Sequence, residues 1–256
     1  MVQPDAAELR RPFLNDPAAA AVLSDFDGTL SGIVDDPAQA APAPGALEAL
    51  RRLVRVFGVV GVISGRPVSF LVRQLGSVEG IRLAGLYGLE QAVGDRTESH
   101  PGALPWMDAL EAAAADAEAS APRGVRVERK GLAVTLHVRT APENGGWIEE
   151  FARHQAAERG LHAHPGRLSV ELRPPIGVDK GTVVEQMAGG RRAVCYCGDD
   201  VGDLPAFAAL GRLRAQGVAT LGVAAMSDES PAQLALAADV TVNGPPGVVS
   251  FLSTLL

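Results

Sequence analysis

Three short runs in this chain are apolar throughout: residues 18–23, residues 58–63 and Ala193-Val194-Cys195-Tyr196-Cys197. A strand with one wet face alternates polar and apolar residues, whereas a strand covered on both faces does not. Between these runs the spacing is helical. Leu47, Leu50, Val54 and Phe57 recur with Arg51, Arg52 and Arg55 outside, and Pro67 opens a second segment carrying Phe70, Leu71 and Leu75. Residues 179–187 read as a third helix. Strand–helix alternation of this kind predicts a Rossmann-like α/β core, a parallel sheet with right-handed crossovers. The runs end in Asp25-Phe26-Asp27-Gly28-Thr29, Ser64-Gly65-Arg66-Pro67 and Gly198-Asp199-Asp200-Val201-Gly202-Asp203. Open α/β sheets bind their ligands at the carboxyl ends of strands.

The texture changes between residues 90 and 177. After an alanine-rich helical segment (106–121), Val125 and Val127 alternate with Arg126, Glu128 and Lys130. Leu132, Val134, Leu136 and Val138 alternate with Ala133, Thr135, His137 and Arg139, and Leu168, Val170 and Leu172 with Ser169, Glu171 and Arg173. Period-two patterning places one face on helices and leaves the other polar. The expected organisation is therefore a core of residues 1–89 and 178–256, interrupted by a small α/β cap with an antiparallel sheet at 90–177. Glu128, Lys130, His137, Arg139 and Glu171 fall on the polar face of that sheet.

Asp25 and Asp27 are one residue apart at a strand end. At about 4 Å and an effective dielectric near 20, two such charges repel by roughly 4 kcal/mol. A cation or a shared proton relieves this, and all-oxygen ligands favour Mg²⁺ or Ca²⁺. Ser64, Lys180 and the Asp199/Asp203 loop stand at further strand ends or helix starts of the same sheet. Together these groups form a set suited to phosphoryl transfer, which needs a nucleophile, an acid for the leaving oxygen, donors for the phosphoryl oxygens and a cation. The net charge of −7 over 256 residues argues against non-specific nucleic-acid binding. No secretory segment or membrane-length apolar run is read, so a cytoplasmic protein is expected. Cys195 and Cys197 read as buried reduced thiols, and His162 and His164 as surface residues without a third ligand.

These motifs, taken in order, resemble the haloacid-dehalogenase-like phosphatases. The superfamily pattern is Asp25-Phe26-Asp27-Gly28-Thr29, Ser64, Lys180 and Gly198-Asp199-Asp200 followed by Asp203. Narrower matches run through Ile63-Ser64-Gly65-Arg66, Leu86-Tyr87-Gly88-Leu89-Glu90, Glu128-Arg129-Lys130-Gly131, His137-Val138-Arg139 and Glu171-Leu172-Arg173-Pro174. They resemble the trehalose-6-phosphate phosphatase family and cover nearly the whole chain. The resemblance implies a Mg²⁺-dependent hydrolase for a small-molecule sugar phosphate, with no nucleic-acid or membrane partner and a functional pairing with a sugar-phosphate synthase. It implies Asp25 as nucleophile, Asp27 as acid and base, Ser64 and Lys180 as phosphate partners, and Asp25, the Asp27 carbonyl and Asp199 as metal ligands. Asp200 and Asp203 would support them from behind. Thr29, Gly65, Arg66, Gly88 and Glu90 would meet substrate from the core, and Glu128, Lys130, His137, Arg139 and Glu171 from the cap. Alternatives are a related phosphate such as sucrose 6-phosphate or validoxylamine 7'-phosphate, a phosphomutase, or a non-catalytic sugar-phosphate-binding domain.

Overall fold

A computed structural model describes residues 6–34, 37–93, 96–166, 168–228 and 230–256. It divides into two compact units, Met1–Thr97 with Val178–Leu256, and Glu98–Gly177. Gly94, in the stretch that follows the last core motif, lies outside the described residues.

The larger unit is built on an eight-stranded sheet, one edge strand of which runs on past Thr97. Its strands are β1 (Ala20–Ser24), β2 (Val59–Ile63), β3 (Arg82–Gly85), β4 (Glu90–Val93), β5 (Arg96–Ser99), β10 (Ala193–Gly198), β11 (Ala219–Met226) and β12 (Val240–Asn243). They run in the order β12-β11-β10-β1-β2-β3-β4-β5. From β12 to β3 every pairing is parallel, with Ala20 opposite Ala193 and Ala21 opposite Val59. β4 pairs antiparallel with β3. That pairing carries the large unit past residue 89, where the sequence reading ends its first segment.

The apolar runs are explained by what covers them. Every residue of β1, β2 and β10 is buried, and successive residues enter opposite cores. Val22, Val60 and Cys195 pack on one side with Leu50 and Leu53 of α2 (Ala46–Leu53), Leu71 of α3 (Val68–Leu75) and Phe251 of α9 (Gly244–Ser253). Leu23, Ile63 and Tyr196 pack on the other with Val183 and Val184 of α6 (Lys180–Ala188) and Phe207 and Leu210 of α7 (Leu204–Ala215). Full burial of one such side chain contributes roughly 1.5–3 kcal/mol. Among the described residues, no helix is long and apolar enough to cross a membrane, and Cys195 and Cys197 are buried free thiols. Helix α1 (Ala6–Asn15) contains Pro12, which hides it from helical reading, yet it buries Phe13 completely.

The smaller unit is an antiparallel sheet in the order β6-β7-β9-β8, formed by β6 (Arg126–Arg129), β7 (Val134–His137), β8 (His162–Gly166) and β9 (Ser169–Arg173). Val134, Leu136, Val170 and Leu172 pack on Leu110, Ala113 and Ala117 of α4 (Met107–Ser120) and on Ile148 and Ala152 of α5 (Gly145–Arg159). Alanines at the contact let α4 approach the sheet closely. Helix α8 (Ala232–Ala237) also lies in the larger unit.

Candidate active site

The site is assembled where β1, β2, β3 and β10 end. β1 stops at Ser24, and the Asp25 amide still donates to the Cys197 carbonyl of β10 at 2.8 Å. Asp25 therefore stays aligned with the sheet and is almost wholly buried. Phe26 turns into the core, edge-on to Phe70. Gly28 then takes φ +77°, and a Cβ there would lie 1.9 Å from Asp199 Oδ2. A glycine is required both by that conformation and by the close approach of the loop after β10. Thr29, expected at the substrate, is instead fully buried and donates to Asp199 Oδ1 at 3.0 Å.

Lys180 begins α6, whose first turn is capped by Asp179 and Thr182 in a reciprocal pair. Its Nζ lies 2.8 Å from Asp25 Oδ1 and 2.6 Å from Asp203 Oδ1. Asp203 is completely buried. Its Oδ1 also accepts from the Tyr196 hydroxyl at 2.6 Å, and its Oδ2 accepts from the amides of Asp199 (2.8 Å) and Asp200 (3.1 Å). Asp200 in turn accepts from the Gly202 amide at 2.8 Å. Burial lowers the Lys180 ammonium, but Asp203 and Asp25 outweigh it and hold the group well above the usual lysine range.

Four carboxylates thus surround one buried ammonium, and two of them, Asp25 and Asp203, touch it. Burial pushes Asp25 well above the usual carboxylate range, Lys180 opposing and Asp203, Asp199 and Asp200 adding to the rise. Burial, then Asp203 and Asp200, push Asp199 up to about 8 against Lys180 and Thr29. Carboxylate oxygens of Asp25, Asp199 and Asp203 lie within 4.8 Å of one another. Both Asp203 oxygens are already engaged by four donors, so Asp203 is not a ligand in this arrangement. Asp25 and Asp199 remain, an all-oxygen pair destabilised as bare anions, and that donor set fits Mg²⁺.

β2 delivers Ser64, buried, whose Oγ accepts from the Arg66 amide at 3.1 Å. This leaves the hydroxyl proton free to be donated elsewhere. The Arg66 guanidinium grips Asp27 with two bonds, Nε to Oδ2 at 2.7 Å and a terminal nitrogen to Oδ1 at 2.8 Å. It also lies 4.6 Å from the Phe70 ring centroid. Arg66, expected at the substrate, is therefore partnered with the proposed acid. Glu90, also expected there, accepts from the Val68 amide at 2.8 Å and so caps α3. Burial raises its carboxyl, partly offset by that bond. Gly65 is covered by the Tyr87 ring, and Gly88 (φ +108°) abuts Val178 and Val183. Tyr196 and Tyr87 escape sequence reading, Tyr196 because it reads as core within an apolar strand, Tyr87 because it reads only as a member of the Leu86–Glu90 motif.

In the smaller unit, the polar sheet face forms one charged network. Glu171 accepts from Lys130 at 2.8 Å and from Thr135 at 2.7 Å, and pairs with Arg173. Glu128 bonds His137 at 2.7 Å and lies 3.9 Å from Lys130. Burial raises the Glu171 carboxyl, but Lys130, Arg173 and the Thr135 hydroxyl outweigh it and hold it at about 2. Arg139 stands just beyond β7, half-buried. On β8, His162 is exposed, and His164 is half-buried, which lowers its imidazole.

The trehalose-phosphatase family model matches residues 23–241, from β1 to β12. The chain belongs to the trehalose-phosphatase family. It is 37% identical over 221 residues to the trehalose-phosphate phosphatase of Mycobacterium ulcerans (strain Agy99), which covers 82% of this chain and 54% of that protein. The chain thus spans about half the length of the curated relatives it matches. Among solved structures, the C-terminal domain of Candida albicans trehalose-6-phosphate phosphatase superposes with a TM-score of 0.77 at 22% identity, covering 96% of each chain. Aspergillus fumigatus trehalose-6-phosphate phosphatase (crystal form 3) gives 0.66 at 25% identity, covering 98% of this chain and 97% of that one. The α/β core with an antiparallel-sheet unit is the haloacid-dehalogenase-like architecture that the motifs imply.

Proposed function

We propose that the chain hydrolyses trehalose 6-phosphate to trehalose and inorganic phosphate through a phosphoaspartate at Asp25. The observation that carries this reading is the buried Asp25 held at 2.8 Å by Lys180, with Asp199 beside it and Asp27 one residue on. Asp25 attacks phosphorus and the bond to the sugar oxygen breaks. Asp27 gives that oxygen its proton, then takes the proton of the water that attacks the phosphoaspartate. To do so it must release at least one of the two bonds from Arg66. Ser64 donates its hydroxyl proton to a phosphoryl oxygen, and Lys180 balances the charge of nucleophile and phosphate. Asp25, Asp199 and the Asp27 carbonyl would hold Mg²⁺, which when bound neutralises charge on the phosphoryl group. For the sugar hydroxyls, the candidates are Glu128, Lys130, His137, Arg139 and Glu171 of the smaller unit, a fixed array of charged donors and acceptors. A cytoplasmic setting and a sugar-phosphate synthase as functional companion belong to the same reading.

The test is phosphate release from trehalose 6-phosphate, sucrose 6-phosphate, validoxylamine 7'-phosphate and monosaccharide phosphates, with Mg²⁺ and with chelator, beside Asp25→Asn. Preferred release from trehalose 6-phosphate, lost in the variant and in chelator, is expected. An active Asp25→Asn overturns the mechanism, preference for another ester overturns the substrate, and transfer to sugar without net release marks a mutase.

A further inference from the structure

Tyr87 has no part in the reaction set out above, yet the fold holds it at the centre of the site. Its amide donates to the Ser64 carbonyl at 2.9 Å, and the Leu86 amide donates to the Arg66 carbonyl at 3.0 Å. These bonds tie the loop after β3 to the loop after β2. Both Leu86 (φ 49°) and Tyr87 (φ 60°, ψ 21°) take left-handed backbone conformations. Such conformations are costly for residues other than glycine and persist only where the surroundings over-determine them.

The strain places the aromatic ring. A Cβ on Gly65 would come within 2.7 Å of the Tyr87 Cζ and hydroxyl oxygen, and a Cβ on Gly202 would lie 3.7 Å from its Cε1. Lys180 Nζ lies 5.9 Å from the ring centroid. The loop after Ser64, the start of α6 at Lys180 and the loop of the Asp199–Asp203 acids therefore meet on one side chain. An ammonium within about 6 Å of an aromatic face is attracted by the ring quadrupole. Lys180 has Asp25 and Asp203 as its two charged partners, and the ring supplies a third, uncharged contact that does not neutralise it.

We infer that Tyr87 is a positioning residue for phosphoryl transfer, its ring fixing Lys180 and the Ser64 loop without touching the reacting atoms. This rests on the phosphatase reading and extends it. The working part is the ring face. Removing the ring leaves Lys180 free to lean toward Asp203 and away from Asp25, so the loss falls on kcat.

The experiment compares Tyr87→Phe, Tyr87→Leu and Tyr87→Asn, asparagine being tolerant of left-handed backbone. Expected is a kcat loss of about 10-fold or more for the Leu and Asn variants, equivalent to about 1.4 kcal/mol, with KM changed by less than about 3-fold. Tyr87→Phe restores most of that loss, to within about 2-fold of the parent. The urea midpoint followed by circular dichroism stays within about 0.3 M in all three, since Tyr87 is half-buried and belongs to neither hydrophobic core of the larger unit. The chain has only two lysines, Lys130 and Lys180, so lysine-labelled protein gives two assignable ε-methylene signals. The Lys180 signal carries the ring-current shift of Tyr87, keeps it in the Phe variant and loses it in Leu and Asn. Parental turnover in the Leu or Asn variant overturns the proposal, as does a Phe variant as slow as Leu, a loss that tracks a lowered midpoint, or a Lys180 signal indifferent to residue 87. If the parent protein releases no phosphate from any ester, the phosphatase reading fails, and the Lys180 signal alone decides whether Tyr87 fixes this lysine.

Discussion

Replacing Asp203 by asparagine tests whether this acid is a structural hub rather than a metal ligand. The native carboxylate is fully buried and accepts four bonds, from Lys180 at 2.6 Å, Tyr196 at 2.6 Å and the amides of Asp199 and Asp200 at 2.8 and 3.1 Å. An amide side chain keeps one acceptor oxygen and turns a donor toward two of these donors. Loss of a buried, charge-assisted partner costs about 3–5 kcal/mol. Removing one negative charge relieves Asp25 and Asp199, an opposing effect that acts between groups without direct contact. We therefore expect a net loss of about 3 kcal/mol, or about 1.5 M in urea midpoint for a slope near 2 kcal/mol/M. The two tryptophans, Trp106 and Trp147, both lie in the smaller unit, within Glu98–Gly177. Circular dichroism should report the shifted transition of the larger unit, and tryptophan fluorescence reads the smaller unit separately. Tyr196→Phe removes a single donor and should cost about 1 kcal/mol. A dichroism midpoint for Asp203→Asn within about 0.3 M of the parent would refute the reasoning.

Three further outcomes follow from the same geometry. Glu171 is held at about 2, below the ordinary carboxylate value of 4.5, so its pairing stabilises the smaller unit above pH ~4.5. That contribution, on the order of 3 kcal/mol, is lost as pH falls toward 2; tryptophan-monitored unfolding between pH 7 and 3 should show it, and Glu171→Gln should flatten the dependence. Mg²⁺ should stabilise the parent by mass action, by about 2.7 kcal/mol at one hundred times its Kd, read as a raised thermal midpoint. Asp25→Asn should respond far less, and an equal response would remove Asp25 from the ligand set. Gly28→Ala meets both a left-handed backbone and a contact of 1.9 Å with Asp199, so a stability loss above about 2 kcal/mol is expected by urea unfolding, with phosphate release abolished.

The core was legible because its central strands β1, β2 and β10 are short, buried on both faces and almost free of polar residues, a pattern that two-sided burial demands. The chemistry was legible for the same reason: polar groups such as Asp25, Ser64 and Asp199 stand out where such strands end. What escaped reading has physical causes. Helix α1 carries a proline that breaks the helical signature, and β4 is recruited through backbone pairing, which leaves no trace in side-chain pattern. Tyr196 serves the charged cluster through one hydroxyl while its ring is ordinary core. The pairing of Arg66 with Asp27 joins residues far apart in sequence, and spacing carries no information about which cation meets which anion. Thr29 and Glu90 were legible as motif members but not as buried bonding partners, because a motif fixes position and not the direction in which a side chain turns.

The place of β1 in the sheet has a consequence for how the molecule comes into being. β1 lies between β2, which soon follows it in the chain, and β10, where Ala20 meets Ala193. During synthesis one edge of this central, wholly buried strand must wait for most of the chain, including the entire smaller unit, before its partner exists. Pairings of such long range are slow to form and leave an adhesive edge open meanwhile. The nucleophile, the lysine and the acid loop are divided across that interval. A growing chain is therefore chemically silent and most prone to aggregate at the same stage, and both conditions end together when β10 docks.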